Sequence, residues 1–255
     1  MDDASLSPAC SRQGARRLLL VPIILVAGCT TTWVGTTVKS FIRHVRNDPD
    51  PNVRYHAYAK LGDLTSYDTP EQRDEAVRLL MDKFENGREP TATRAIICRS
   101  LGKLEDPKAR PLLIKAVNDP EAVIKIEACR ALGKVGQPED ATVLARVMSL
   151  DNLEDARIAA IEGISRLKIS DPRIYQVLVD GMEHDDPAIR LASLNALRKL
   201  TGKDHGTDPA VWRRELKPLL ASSGAPAVNN APNTKDVADA KARNLWPFPS
   251  LFGPR

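Results

Sequence analysis

"DPAIRLASLNALRKL", residues 186–200, decides the fold. Arg190 is followed three positions later by Ser193 and seven positions later by Leu197, offsets that fall on one face of an α-helix. The same register recurs four times upstream. "VRYHAYAKLG" from Val53, "TRAIICRSLG" from Thr93, "IKIEACRALG" from Ile124 and "ARIAAIEGIS" from Ala156 each place a basic residue (Arg54, Arg94, Lys125, Arg157) before a buried-type pair at those offsets. The pairs are Ala57 and Leu61, Ile97 and Leu101, Ala128 and Leu132, Ala160 and Ile164.

The basic residues lie far enough apart for each unit to hold a second helix. Those partners are "PEQRDEAVRLLMDKF", "DPKARPLLIKAV", "QPEDATVLARVM" and "DPRIYQVLVDGM". Proline marks the boundaries: Pro70, Pro107, Pro138 and Pro172 for the partner helices, Pro51, Pro90, Pro120 and Pro187 for the others. Its locked φ and missing N–H suit a first turn and spoil a helix interior.

On these residues the chain resembles the HEAT-repeat family, whose second helix reads D-P-x-V-R-x-x-A-x-x-x-L-G. Asp50-Pro51-Asn52-Val53-Arg54 and Asp186-Pro187-Ala188-Ile189-Arg190 match it closely. The resemblance implies an all-α fold, a right-handed α-solenoid of about five helix pairs over residues 41–221. No single pair would be stable alone. A cation in a first helical turn is opposed by the macrodipole, by roughly 0.3–1 kcal/mol. The five recurring cations are therefore expected to reach carboxylates in the turns of adjacent units, such as Glu89, Asp119, Asp151 and Asp186.

The N-terminus reads differently. "LLLVPIILVA" from Leu18 is apolar throughout but only half of the ~20 residues that a membrane span needs. Arg12, Arg16 and Arg17 precede it and small residues follow, the order of an export signal. Val26-Ala27-Gly28-Cys29 resembles the lipobox of bacterial lipoproteins, which implies a signal peptide over 1–28, lipidation of Cys29, and a linker over 29–40. Thr30 after the cysteine is similar to the outer-membrane default, which places the chain in the envelope, facing the periplasm. A lipid anchor would hold it to the membrane without a protein span.

With 42% hydrophobic, 27% charged and only 4% aromatic residues, the chain suits a helical core of Leu, Ala, Ile and Val. A net charge of +4 does not demand a polyanion, and no nucleic-acid partner is expected. Cys98 and Cys129 occupy one register of adjacent repeats and read as buried thiols. Equivalent helices pack about 8–10 Å apart, beyond the roughly 7 Å Cα limit of a disulfide.

Thr201–Leu216, "TGKDHGTDPAVWRREL", reads as a terminal cap: Asp208 caps a helix that Pro209 opens, and Trp212 covers the stack. Two aspartates and a histidine there raise a metal site as the alternative. Residues 222–255 lack periodicity and read as a flexible tail. It ends in "LWPFPSLFGPR", where Trp246, Phe248, Leu251 and Phe252 form a candidate docking motif for a partner or membrane surface, or fold back on the solenoid.

Chemistry is sparse. His44, His56, His184 and His205 are scattered, with none of the repeated His-Glu pairs of HEAT-like di-iron hydroxylases. "DPDPN" from Asp48 imitates a calcium loop, yet Val53 stands where Gly is needed and Ala59 where Glu is needed. No cofactor is implied. Lys103, Lys134, Arg166 and Lys199 each follow a ladder cation by nine positions and form a candidate basic strip along the helix ends, against the plain account that cations favour helix C-termini. The expectation is a membrane-anchored, non-enzymatic scaffold for protein partners. The alternatives are an enzyme on a HEAT frame, of the lyase or glycosylase type, and a structural envelope component.

Overall fold

Every second helix, five in all, carries the recurring register, and their apolar faces meet in one continuous core. The structure, a computed structural model, describes residues 35–169 and 171–222, which belong to one compact unit. Eleven α-helices and three short 3-10 turns are described, and no strand occurs among the described residues. In chain order they are α1 (Val38–Asn47), α2 (Pro51–Leu61), α3 (Pro70–Glu85), α4 (Thr91–Leu104), α5 (Arg110–Ala116) and α6 (Ala122–Val135). Then come α7 (Ala141–Leu150), α8 (Glu154–Ile164), α9 (Pro172–Gly181), α10 (Pro187–Thr201) and α11 (Pro209–Ser222).

Odd- and even-numbered helices pair along the chain: α1 with α2, α3 with α4, and so on to α9 with α10. The even helices stack on one another, α2 on α4, α4 on α6, α6 on α8 and α8 on α10. This is the all-helical solenoid that the sequence led us to expect. Every residue at the two core offsets is buried: Ala57, Ile97, Ala128, Ala160 and Ser193 at the first, Leu61, Leu101, Leu132, Ile164 and Leu197 at the second. Each fully buried leucine stabilises the stack by roughly 1.5–3 kcal/mol.

Local chemistry sets the boundaries. Pro51, Pro70, Pro172, Pro187 and Pro209 stand in first helical turns. Asp50, Asp171, Asp186 and Asp208 accept a backbone N–H two residues on, satisfying a donor the helix leaves free. Pro107 and Pro138 open 3-10 turns ahead of α5 and α7 instead, so these odd helices are shorter than the sequence suggests. Pro90 occupies the cap position of α4 rather than its interior, and Pro120 precedes α6.

Small residues let the even helices close on each other. A Cβ built on Gly102 would lie 2.7 Å from Ala131, and one on Gly133 2.4 Å from the Cα of Gly163. At the far end Trp212 is fully buried, with its indole N–H donating to the Gly206 carbonyl at 2.9 Å and His205 against its ring. The reading of 201–216 as a cap is correct, and no cluster of metal-ligating side chains occurs among the described residues.

Candidate partner-binding surface

The turns that lead into the even helices carry the ion-pair ladder. Arg54 donates to both carboxylate oxygens of Glu89, at 3.0 Å each for its closest contacts, and to the carbonyls of Asp48 and Pro49. The Tyr58 hydroxyl donates to the same Glu89, and burial pushes the phenol pKa up. Arg94 donates to Asp119 at 2.9 Å and lies over the Phe84 ring. Lys125 donates to Asp151. Three rungs thus match the expectation.

Two do not. Arg157 donates to the Met148 carbonyl rather than to Asp186, whose side chain is committed to the Ala188 N–H. Burial holds the Arg157 pKa below the ordinary value. Arg190 donates to the carbonyls of His184 and Asp185.

A second charge chain crosses α4, α6 and α8, and the sequence reading missed it. Arg99 donates to both oxygens of Glu127 at 2.9 and 2.6 Å, Arg130 lies 3.6 Å from Glu127, and Arg130 donates to Glu162 at 2.9 Å. The signal was present: Arg99, Arg130 and Glu162 all stand five residues after a ladder cation. Beside the chain is a hollow of 220 Å³ lined by Ala92, Ala95, Val123 and Ile126 with Arg99 and Glu127 at its edge. Val123, half exposed, gives it an apolar lip.

The candidate strip sits at the other ends of the same helices. Lys103, Lys134 and Lys199 lie in the last turns of α4, α6 and α10, and Arg166 follows the end of α8. All four are exposed. Lys103 lies near enough to Asp63 to lower its carboxyl pKa, though Thr65 does more through hydrogen bonds to the same carboxylate. Cys98 and Cys129 are fully buried free thiols, with burial pushing the first up and the second up to about 12. Cys29, Trp246, Phe248, Leu251 and Phe252 lie outside the described residues. No described helix is long and apolar enough to cross a membrane.

Residues 80–165 match the family model for HEAT repeats. Among curated relatives, the alpha subunit of phycocyanobilin lyase from Synechococcus elongatus is 27% identical over 244 residues, 85% of this chain and 84% of that one. Epoxyqueuosine reductase from Bacillus subtilis is 28% identical over 149 residues, 56% of this chain but 35% of the reductase. Among solved structures, the CpcE–CpcF complex of phycocyanin lyase from Nostoc superposes with a TM-score of 0.55 at 20% identity, covering 76% of this chain and 73% of that one. That last likeness is one of fold.

The expectation of a non-enzymatic HEAT scaffold is corrected by these relatives. The similarity that extends over most of both chains is to the alpha subunit of a lyase, which favours a lyase-type enzyme over a scaffold without activity. The alternative of a lyase-type enzyme on a HEAT frame is the reading that these relatives favour.

Proposed function

We propose that this HEAT-repeat chain is a lyase-type subunit that works by holding a protein partner against its solenoid, and that it is exported and tethered to a bacterial membrane through Cys29. The carrying observation is the extent of the likeness to the lyase alpha subunit, which runs over most of both chains rather than over a shared motif. That relative is by name one subunit of an enzyme, which supports a role exercised together with a second polypeptide. The apolar hollow beside the Arg99–Glu127 pair supplies a surface on which a partner or an apolar substrate can rest. Export is supported by the sequence before Cys29, and the solenoid needs no membrane span if that cysteine is lipidated.

The test has two arms. Phycocyanobilin titrated into the purified chain should give a saturable change in its visible absorbance, weakened by Val123→Glu in the hollow. An unaltered spectrum at all ratios would remove the bilin from the proposal, and crosslinking in membranes that recovers no second protein would remove the subunit role. Metabolic labelling with palmitate should mark the wild type and not Cys29→Ser; equal labelling of both would end the tether.

A further inference from the structure

On the stacked helices α4, α6, α8 and α10, most cations already have an oxygen partner. Arg94 has Asp119, Arg99 has Glu127, Lys125 has Asp151, Arg130 has Glu162, Arg157 and Arg190 have backbone carbonyls, and Arg198 has Asp204. Lys134, Arg166 and Lys199 have no such hydrogen bond or ion pair, and Lys103 has only the nearby field of Asp63. The carboxylates of the adjoining turns are largely committed elsewhere. Asp106 caps the Lys108 N–H, Asp140 holds Arg110, Asp171 holds Arg173 and Asp204 holds Arg198.

The spacing of three of the four is set by small residues just before them. Gly102 closes on Ala131 and Gly133 on Gly163, so the helix ends that carry Lys103, Lys134 and Arg166 sit at the tight limit of helix packing, about 8–10 Å. Like charges at that separation lie within about one Debye length at physiological salt and feel one another. Exposed cations on the ends of successive close-packed helices present a repeat that a ligand can match.

We propose that Lys103, Lys134, Arg166 and Lys199 form a docking edge for an acidic polypeptide in the polyproline II conformation, with one carboxylate per turn. That helix has three residues per turn and a rise of about 3.1 Å each, so carboxylates at every third residue recur at about 9 Å along one side. The interval equals the packing distance of the even helices, and the ligand arrives with little conformational freedom left to lose. An anionic bilayer offers charge without that interval, which is why a peptide is the better fit. The inference is independent of lyase activity and of the lipid on Cys29.

The experiment uses fluorescein-labelled (Glu-Pro-Pro)5 in fluorescence anisotropy with the full chain in detergent. A control peptide has the same composition with its five glutamates contiguous. The spaced peptide should bind at least fivefold more tightly. Lys134→Gln combined with Arg166→Gln should weaken it at least tenfold with unchanged circular dichroism and melting temperature, while Lys115→Gln on α5 should leave it unaltered. Equal affinity for both peptides, or undiminished binding by the double variant, overturns the proposal. So does binding confined to phosphatidylserine vesicles and lost in the same double variant, which would assign the edge to lipid.

Discussion

Gly133 stands so close to Gly163 that a Cβ added to the first would fall 2.4 Å from the Cα of the second and 2.6 Å from its carbonyl oxygen. The atoms in the way are backbone, so no side-chain rotation relieves the clash. Gly133→Ala should therefore part α6 from α8 and destabilise the chain by about 1–3 kcal/mol or more. A urea midpoint within error of the wild type would show that the helices can slide apart freely.

Arg54 and Glu89 form a largely buried pair. Arg54→Ala would leave the Glu89 carboxylate facing only the Tyr58 hydroxyl, and the expected loss is about 3–5 kcal/mol. Arg54→Met with Glu89→Leu removes both charges and should recover most of it. Denaturant melts of the single and double variants test this; equal losses in both would mean that packing, not charge, holds the rung.

Three carboxyls should govern the response to acid. Hydrogen bonds from Arg213 hold Glu183 below its ordinary 4.5, and those from Arg173 hold Asp171 below 3.8. For Asp151 burial acts upward, but Lys125 and the Leu153 N–H together outweigh it and the value is lowered. A depressed folded pKa contributes stability that is complete above the unfolded value and is lost as pH falls through it toward the folded one. Stability should be level above about pH 5 and decline below about pH 4.5. Asp151→Asn should flatten the decline in urea midpoints measured from pH 3 to 7; an unaltered slope would discount that group.

The buried thiols should be inert. With Cys98 and Cys129 fully buried and their pKa values raised, neither presents a thiolate to solvent at pH 8. A thiol-reactive dye should label them only after denaturation, and their mass should be that of two free thiols. Rapid native labelling would mean that the stack opens locally near α4 and α6.

The solenoid was legible because one register carries three messages at once. Its cation, first core residue and second core residue recur in five units, and all ten core positions are buried as read. The ladder was legible where a carboxylate of the next turn meets the cation, as Glu89, Asp119 and Asp151 do, the two aspartates while also accepting a backbone N–H two residues on. It failed at Arg157, which donates to the Met148 carbonyl instead, although Asp186 accepts a backbone N–H two residues on just as Asp119 and Asp151 do. The second charge chain went unread because Arg99, Arg130 and Glu162 share one register position but not one charge, and Glu127, which joins Arg99 to Arg130, stands three positions earlier in the register. The lyase type stood among the alternatives because the fold can host it, while no catalytic motif of the sequence pointed to it.

The carboxylate rungs, Arg54 to Glu89, Arg94 to Asp119 and Lys125 to Asp151, all lie at the turns entering the even helices, while the opposite margin has glycine contacts and unpaired cations. A rod stapled along one margin bends unequally. Tension that tries to open the stapled side must break charged contacts in sequence, whereas the other side can gape by sliding smooth backbone on backbone. Pulled from its two ends, the stack would behave as a hinge with a preferred direction rather than as a uniform spring.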